Sequence, residues 1–156
     1  MDIYLSSKCA FFLGCGSGID FVPALFHRPV AYVNYLPFEY FPSWYPHRLF
    51  IAKKLWLRDE RRFLTFPEII ATGVGRFDRS EQYEEYGLDV VNNTRDEITA
   101  VAIEMDERLK GTHQATEEDE GLQRRFGSLF ECSDQHGAMY CRIGSEFLRQ
   151  YRELLC

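Results

Sequence analysis

Residues 13–18 read LGCGSG. Gly14, Gly16 and Gly18 let the backbone turn sharply and approach an anion without a Cβ in the way. The amides of Ser17, Gly18 and Ile19 would then point from a helix N-terminus, where unpaired donors and the helix dipole favour phosphate groups. The Ser17 hydroxyl can add a hydrogen bond. The same glycines also suit a purely structural end, a tight strand-to-helix corner, and the sequence leaves both open. A second group is cationic. His47 to Arg62 carries Arg48, Lys53, Lys54, Arg58, Arg61 and Arg62 in a chain of net charge −6, a run that either meets phosphate or forms a solvated face. His27 and His47 are candidate acid–base groups, with structural or surface roles as the plainer account. His113 and His136 fall in helix connections and read as solvent-facing. Asp20 is the acid nearest the turn, and capping explains it.

A phosphate turn needs a strand before it and a helix after it. Residues 9–13 predict a buried strand; Ser17 then caps a short helix, with Asp20 at the third helical position completing a capping box. Pro23 makes that helix irregular and Pro29 marks its exit. Val30–Tyr35 alternates β-formers and predicts a second, parallel strand reached by a crossover. In residues 36–57, Pro37, Pro42 and Pro46 stand among Phe38, Tyr40, Phe41, Trp44 and Tyr45. That composition predicts an ordered loop wrapping the open end of the sheet.

The remainder reads as helices. Thr65 with Glu68 is a capping box before Ile69 and Ile70, and Gly73 ends that helix. Ser80 starts a short helical turn through Tyr83 and Tyr86, stopped by Gly87, and residues 88–91 predict a short third strand. Thr94 and Glu97 form the clearest capping box, before Ile98, Val101, Ala102, Met105 and Leu109 on one face and Gly111 as the stop. Thr116 opens another helix with an acidic first turn, its Leu122, Phe126, Leu129 and Phe130 facing inward. A last helix, from Cys141, buries Ile143, Phe147, Leu148, Tyr151 and Leu155.

The chain has 156 residues, enough for one domain with its own core, and shows no internal repeat or linker. Its aromatic share of 15% is high, with 13 Phe and 9 Tyr. Such content implies large buried surfaces or a face normally covered by something else. The acidic balance argues against a general nucleic-acid binder. No apolar run is long enough to span a bilayer and no signal peptide precedes the first strand. Five cysteines (Cys9, Cys15, Cys132, Cys141 and Cys156) without CxxC spacing suit reduced thiols in the cytoplasm. Two or three strands are too few for a free-standing doubly wound sheet. The expectation is therefore an α/β chain, either a small α-rich unit or the back half of something larger, and the aromatic excess favours the second.

The turn alone also matches that of S-adenosylmethionine-dependent methyltransferases. Those enzymes usually carry an acid two places before the first glycine, where this chain has Phe12, and a carboxylate after the next strand, where it has Asn34. The same missing acid, with Ile19 at the third glycine position, weakens a dinucleotide-binding reading. A phosphate cradle asks for less.

The stretch AFFLGCGSGIDFVPALFHRPVAYVNYLPFEYFPSW, with LFIAKKLW, RFLTFPEII, GRFDRSEQYEEYGLDVVNNTRDEITAVAIEMDERL and IGSEFLRQYREL, resembles the C-terminal part of a family of bacterial glycosyltransferases. That family is associated with surface-polysaccharide assembly and is heptosyltransferase-like. The resemblance covers nearly the whole chain. It implies a partial Rossmann-like fold, the C-terminal half of a GT-B enzyme with few parallel strands and a helix-rich C-terminal portion. Residues 1–156 would be one domain, the back half of a donor-binding domain. The donor diphosphate would rest on Gly16, Ser17, Gly18 and Ile19, and Lys53 or Lys54 would add a phosphate contact from the family's basic KKL segment. Many relatives have an acidic or hydroxyl residue where this chain has Gly16, so that side-chain contact is absent. The resemblance implies a sugar nucleotide as substrate, no cofactor and no bound metal. It also implies partnership with an N-terminal acceptor domain or a second copy, and it names no catalytic base. The alternative is a structural or interaction module, in which the glycines make a corner and the aromatic loop docks a partner.

Overall fold

The computed structural model describes residues 1–41, 43, 47–130 and 140–156. The chain opens with a helix that the strand-first reading lacks, α1 (Asp2–Lys8), ended by Cys9. β1 (Phe12–Gly14) leads through the turn into a 3-10 segment, Gly18–Asp20, and then α2 (Phe21–Leu25). β2 (Val30–Tyr35) runs parallel to β1, pairing Phe12 with Val30 and Gly14 with Tyr32. Five of its six residues are buried, Asn34 excepted, as expected of a strand covered on both faces.

Residues 36–57 depart from the expected loop. They contain β3 (Arg48–Ala52), fully buried and parallel to β2, and β4 (Lys54–Leu57). The apolar run LFIA is a buried parallel strand, which lacks the period-2 signal of a half-exposed one. β4 turns back through β5 (Arg62–Phe63), and the chain continues into α3 (Phe66–Thr72), α4 (Ser80–Glu85) and β6 (Leu88–Val91). Then come α5 (Arg95–Lys110) and α6 (Glu117–Ser128). The last helix does not start at Cys141; β7 (Arg142–Ile143) precedes α7 (Ser145–Gln150).

These strands form two sheets. One is wholly parallel, in the order β1-β2-β3-β7; the other is antiparallel, in the order β5-β4-β6. The expected third strand at residues 88–91 therefore exists, but in the second sheet. The fold is mixed α/β.

The aromatic residues account for one face of the parallel sheet. Phe41 stacks on Phe50 of β3 with centroids 4.5 Å apart, and Phe126 of α6 lies 5.7 Å from Phe50. Phe38 stacks on Phe66 of α3 at 4.9 Å. Phe38, Phe41, Phe50 and Phe126 are fully buried, each contributing about 1.5–3 kcal/mol by removal from water. Phe38 and Phe41 of the aromatic segment are thus core rather than a wrap over the sheet's open end, whereas Tyr40 is exposed; Trp44, Tyr45, Pro42 and Pro46 lie outside the described residues. Val101 and Met105 of α5 are also buried. At Gly144 a Cβ would meet methyl groups of Ile51 and Val101 at 3.0 and 3.1 Å, so glycine lets the β7–α7 corner approach both elements.

The helix ends follow local chemistry. Thr65, Thr94 and Thr116 each accept a hydrogen bond from the amide three residues on, while Glu68, Glu97 and Asp119 accept from the threonine amides. Each box satisfies two otherwise orphaned donors. Among the described residues no helix is long and apolar enough to cross a membrane.

Candidate functional site

In parallel α/β sheets ligands bind outside the carboxyl ends of the strands. Here that edge is made by the ends of β1, β2, β3 and β7, and the glycine turn follows β1 directly. Two glycines are required there for different reasons. A Cβ on Gly14 would meet the Asp20 carboxylate at 2.5 Å. Gly16 has φ +84° and lies against the Tyr35 ring. Gly18 faces open space.

Asp20 organises the turn. It is 2% exposed, and one carboxylate oxygen accepts from the Gly16 amide at 2.6 Å and the Ser17 amide at 2.8 Å. The other accepts from Ser17 Oγ at 3.2 Å. The Ser17 amide, expected to face a ligand, is therefore already engaged by the chain's own carboxylate, and its hydroxyl is too. The amides of Gly18 and Ile19 have no acceptor among the described residues.

Beside the turn is a small hollow of about 70 Å³, walled by Gly16, Ser17, Phe21, Tyr32, Tyr35 and Tyr40 and by the Asp20 carboxylate, whose charge opposes an anion there. It is large enough for one anionic group and far smaller than a usual ligand pocket. Tyr35 donates its hydroxyl to the Tyr40 carbonyl at 2.9 Å. Burial, with Tyr32 nearby, pushes its phenol up to about 12, so it stays neutral at physiological pH. Phe21 and Tyr40 present exposed aromatic rings at the rim.

The two lysines separate. Lys53 directly follows β3 at the same sheet edge, its amide donating to the Tyr35 carbonyl at 3.2 Å. Its ammonium has no protein partner among the described residues. Lys54 points elsewhere. Its Nζ lies 2.5 Å from Glu97 Oε1 and 2.8 Å from the Tyr151 hydroxyl, with the Lys54 and Glu97 side chains 3% and 2% exposed. Burial opposes charge on Glu97, but hydrogen bonds from Lys54, Tyr151 and the Thr94 amide win and hold its carboxyl below the usual range. Lys54 is a staple between β4, α5 and the C-terminal segment, its buried ammonium committed to Glu97 and Tyr151. Its KKL context could not reveal this, because both partners are distant in sequence.

Asn34, where a ribose-binding acid would stand, also has a structural role. It has φ +51° and exchanges two hydrogen bonds of 2.6 Å with Asn93, whose amide nitrogen donates to the Ala52 carbonyl at 2.9 Å. This clamp ties the β6–α5 connection to the ends of β2 and β3.

His27 and His47 are exposed and both have positive φ. His113 is not solvent-facing as expected. Its side chain is 14% exposed, with Nδ1 3.3 Å from Glu107. His136 and Cys132 lie outside the described residues; Cys9, Cys15, Cys141 and Cys156 are free thiols. No family model, no curated protein and no solved structure matches the chain.

Proposed function

We propose that this chain binds a sugar nucleotide through its diphosphate at the carboxyl edge of the parallel sheet, as the donor-binding part of a glycosyltransferase acting in surface-polysaccharide assembly. The observation that carries this reading is the position of residues 16–19 at the end of β1, with the Gly18 and Ile19 amides unclaimed and Lys53 on the same edge. Two backbone donors and an ammonium suit adjacent phosphates. Ser17 acts indirectly, fixing the turn through Asp20. Phe21 and Tyr40 offer aromatic faces for a base or sugar ring. The assignment of donor chemistry rests on the sequence resemblance.

Calorimetric titration with UDP, GDP and CMP tests it. Gly18→Asp is the informative variant, because a Cβ there meets nothing within 4 Å, so the fold should persist while a carboxylate enters the diphosphate's place. At least a tenfold loss of affinity is expected. Absence of binding by the parent chain, or a Gly18→Asp variant that binds equally well, defeats the reading.

A second reading, an interaction module, is favoured by a different observation. Ile3, Tyr4 and Leu5 of α1 and Phe21 and Leu25 of α2 are exposed, and β1 is an edge strand of the parallel sheet among the described residues. A second copy fits this face: α1 carries Asp2 in its first turn and Lys8 in its last, so antiparallel packing across a two-fold axis sets opposite charges together. Light scattering should then give a dimer that Leu25→Lys dissociates, and a monomeric parent chain rejects it.

A further inference from the structure

The opposite edge of the parallel sheet holds a larger cleft, about 470 Å³, where β3 and β7 begin and α5 ends. Its cationic wall is Arg48, Arg108 and Arg142 with the imidazoles of His47 and His113; its apolar wall includes Leu49, Met105, Leu109 and Tyr140. Among the described residues no carboxylate lines it, in a chain with 24 acidic residues against 18 Lys and Arg. Among the described residues, the buried side-chain nitrogens without a hydrogen-bond partner are Arg108 Nη2, His113 Nε2 and Arg142 Nε. All three belong to residues of this cleft.

The acids nearby hold these groups without using them up. Glu104 accepts from Arg108 Nε at 2.9 Å and from the Ser145 amide and hydroxyl at 2.7 and 2.9 Å. Arg108 Nη2 lies 2.8 Å from the same carboxylate as an ion pair only. Glu120 takes Arg142 Nη1 and Nη2, leaving Nε. Glu107 faces His113 Nδ1, and Nε2 is left over at 3.9 Å from Glu104. The negative end of the α5 dipole works against an anion here. Its last carbonyls are partly answered: those of Glu107 and Arg108 accept the amides of Thr112, His113 and Gly111.

The geometry points to a binding site for an organic phosphate monoester, its phosphoryl oxygens on Arg108 and Arg142, with His113 donating as well only in its imidazolium form because Nδ1 faces Glu107, and its apolar body against Leu49, Met105 and Leu109. Leaving a buried donor unsatisfied costs about 1–3 kcal/mol, more when it is charged, and guanidinium N–H groups match phosphate oxygens. The volume falls in the ordinary range for small-molecule pockets, roughly 300–1,000 Å³. The site is separate from the glycine turn, so it stands or falls independently of the sugar-nucleotide reading.

The test is calorimetry on the full chain with 1-naphthyl phosphate, inorganic phosphate and 1-naphthol. The expected result is binding of the naphthyl phosphate at least tenfold tighter than inorganic phosphate, with naphthol weaker than both. Arg142→Gln should lower that affinity at least tenfold while leaving the melting transition cooperative. Tyr140→Asp, at the exposed mouth, should do the same by charge and serves if Arg142→Gln does not fold. Gly18→Asp should leave it unchanged. Naphthyl phosphate no tighter than inorganic phosphate, indifference to the cleft variants, or loss of binding in Gly18→Asp overturns the inference.

Discussion

The two edges of the parallel sheet answer the same electrostatic question in opposite ways. At the carboxyl edge the sequence advertises an anion site, yet the buried Asp20 carboxylate takes two of the turn's amides and leaves two. At the amino edge no motif stands out, yet Arg108, Arg142 and His113 converge, with Arg142 Nε and His113 Nε2 left over. Motif and availability are different properties. A donor that already has an acceptor offers a ligand only an exchange, whereas a buried donor without one gains a full hydrogen bond.

The largest effect that sharpens this contrast belongs to Lys54. Lys54→Met strands Glu97 as a buried charge and should cost about 3–5 kcal/mol in urea unfolding, with nucleotide affinity unchanged at temperatures where the variant is folded. Lys53→Met should do the reverse, lowering nucleotide affinity with little effect on stability. Equal behaviour of the two variants would erase the distinction drawn between them.

Asp20→Asn comes next. It weakens the hydrogen bonds to Gly16 and Ser17 and should destabilise the chain by about 1–3 kcal/mol. It also removes a negative charge beneath the turn, so pyrophosphate affinity should rise. A fall would mean that Asp20 shapes the site more than it competes with the ligand.

The smallest effect is a background common to both edges. Hydrogen bonds from Arg62, and then from the Thr65 amide, hold the Glu68 carboxyl down from its ordinary 4.5 to about 2. A depressed folded-state value means that this stabilisation is present above pH 4.5 and is lost as pH falls from there towards 2. Thermal melts should show Glu68→Gln flattening that part of the stability profile, modestly because both partners are well exposed and solvent screens the pair. A profile identical to that of the parent would remove this account of acid sensitivity.

Much of the fold was legible where the determinants are local. The boxes at Thr65, Thr94 and Thr116 and the left-handed caps at Gly73 and Gly111 sit within a few residues of what they control. β2 was legible from its β-former run, and the turn from its glycines. β3 and β4 were hidden by neighbouring prolines and lysines, and β7 by its brevity. α1 carries three exposed apolar residues and no side-chain cap, so no amphipathic stripe announces it.

By itself, then, the amino-acid sequence determined the capped helices, the strand–turn–helix unit around the glycines and the supply of aromatic side chains for a core, because propensity, capping and turn geometry act over one or two turns of chain. Tertiary structure alone decided which of two adjacent lysines is buried, that Asp20 lies close enough to Gly14 to forbid a Cβ there, and that Arg48, Arg108 and Arg142 share one cleft. Those outcomes depend on which distant groups remove one another from water. Desolvation and pairing are properties of the packed chain and have no sequence period to betray them.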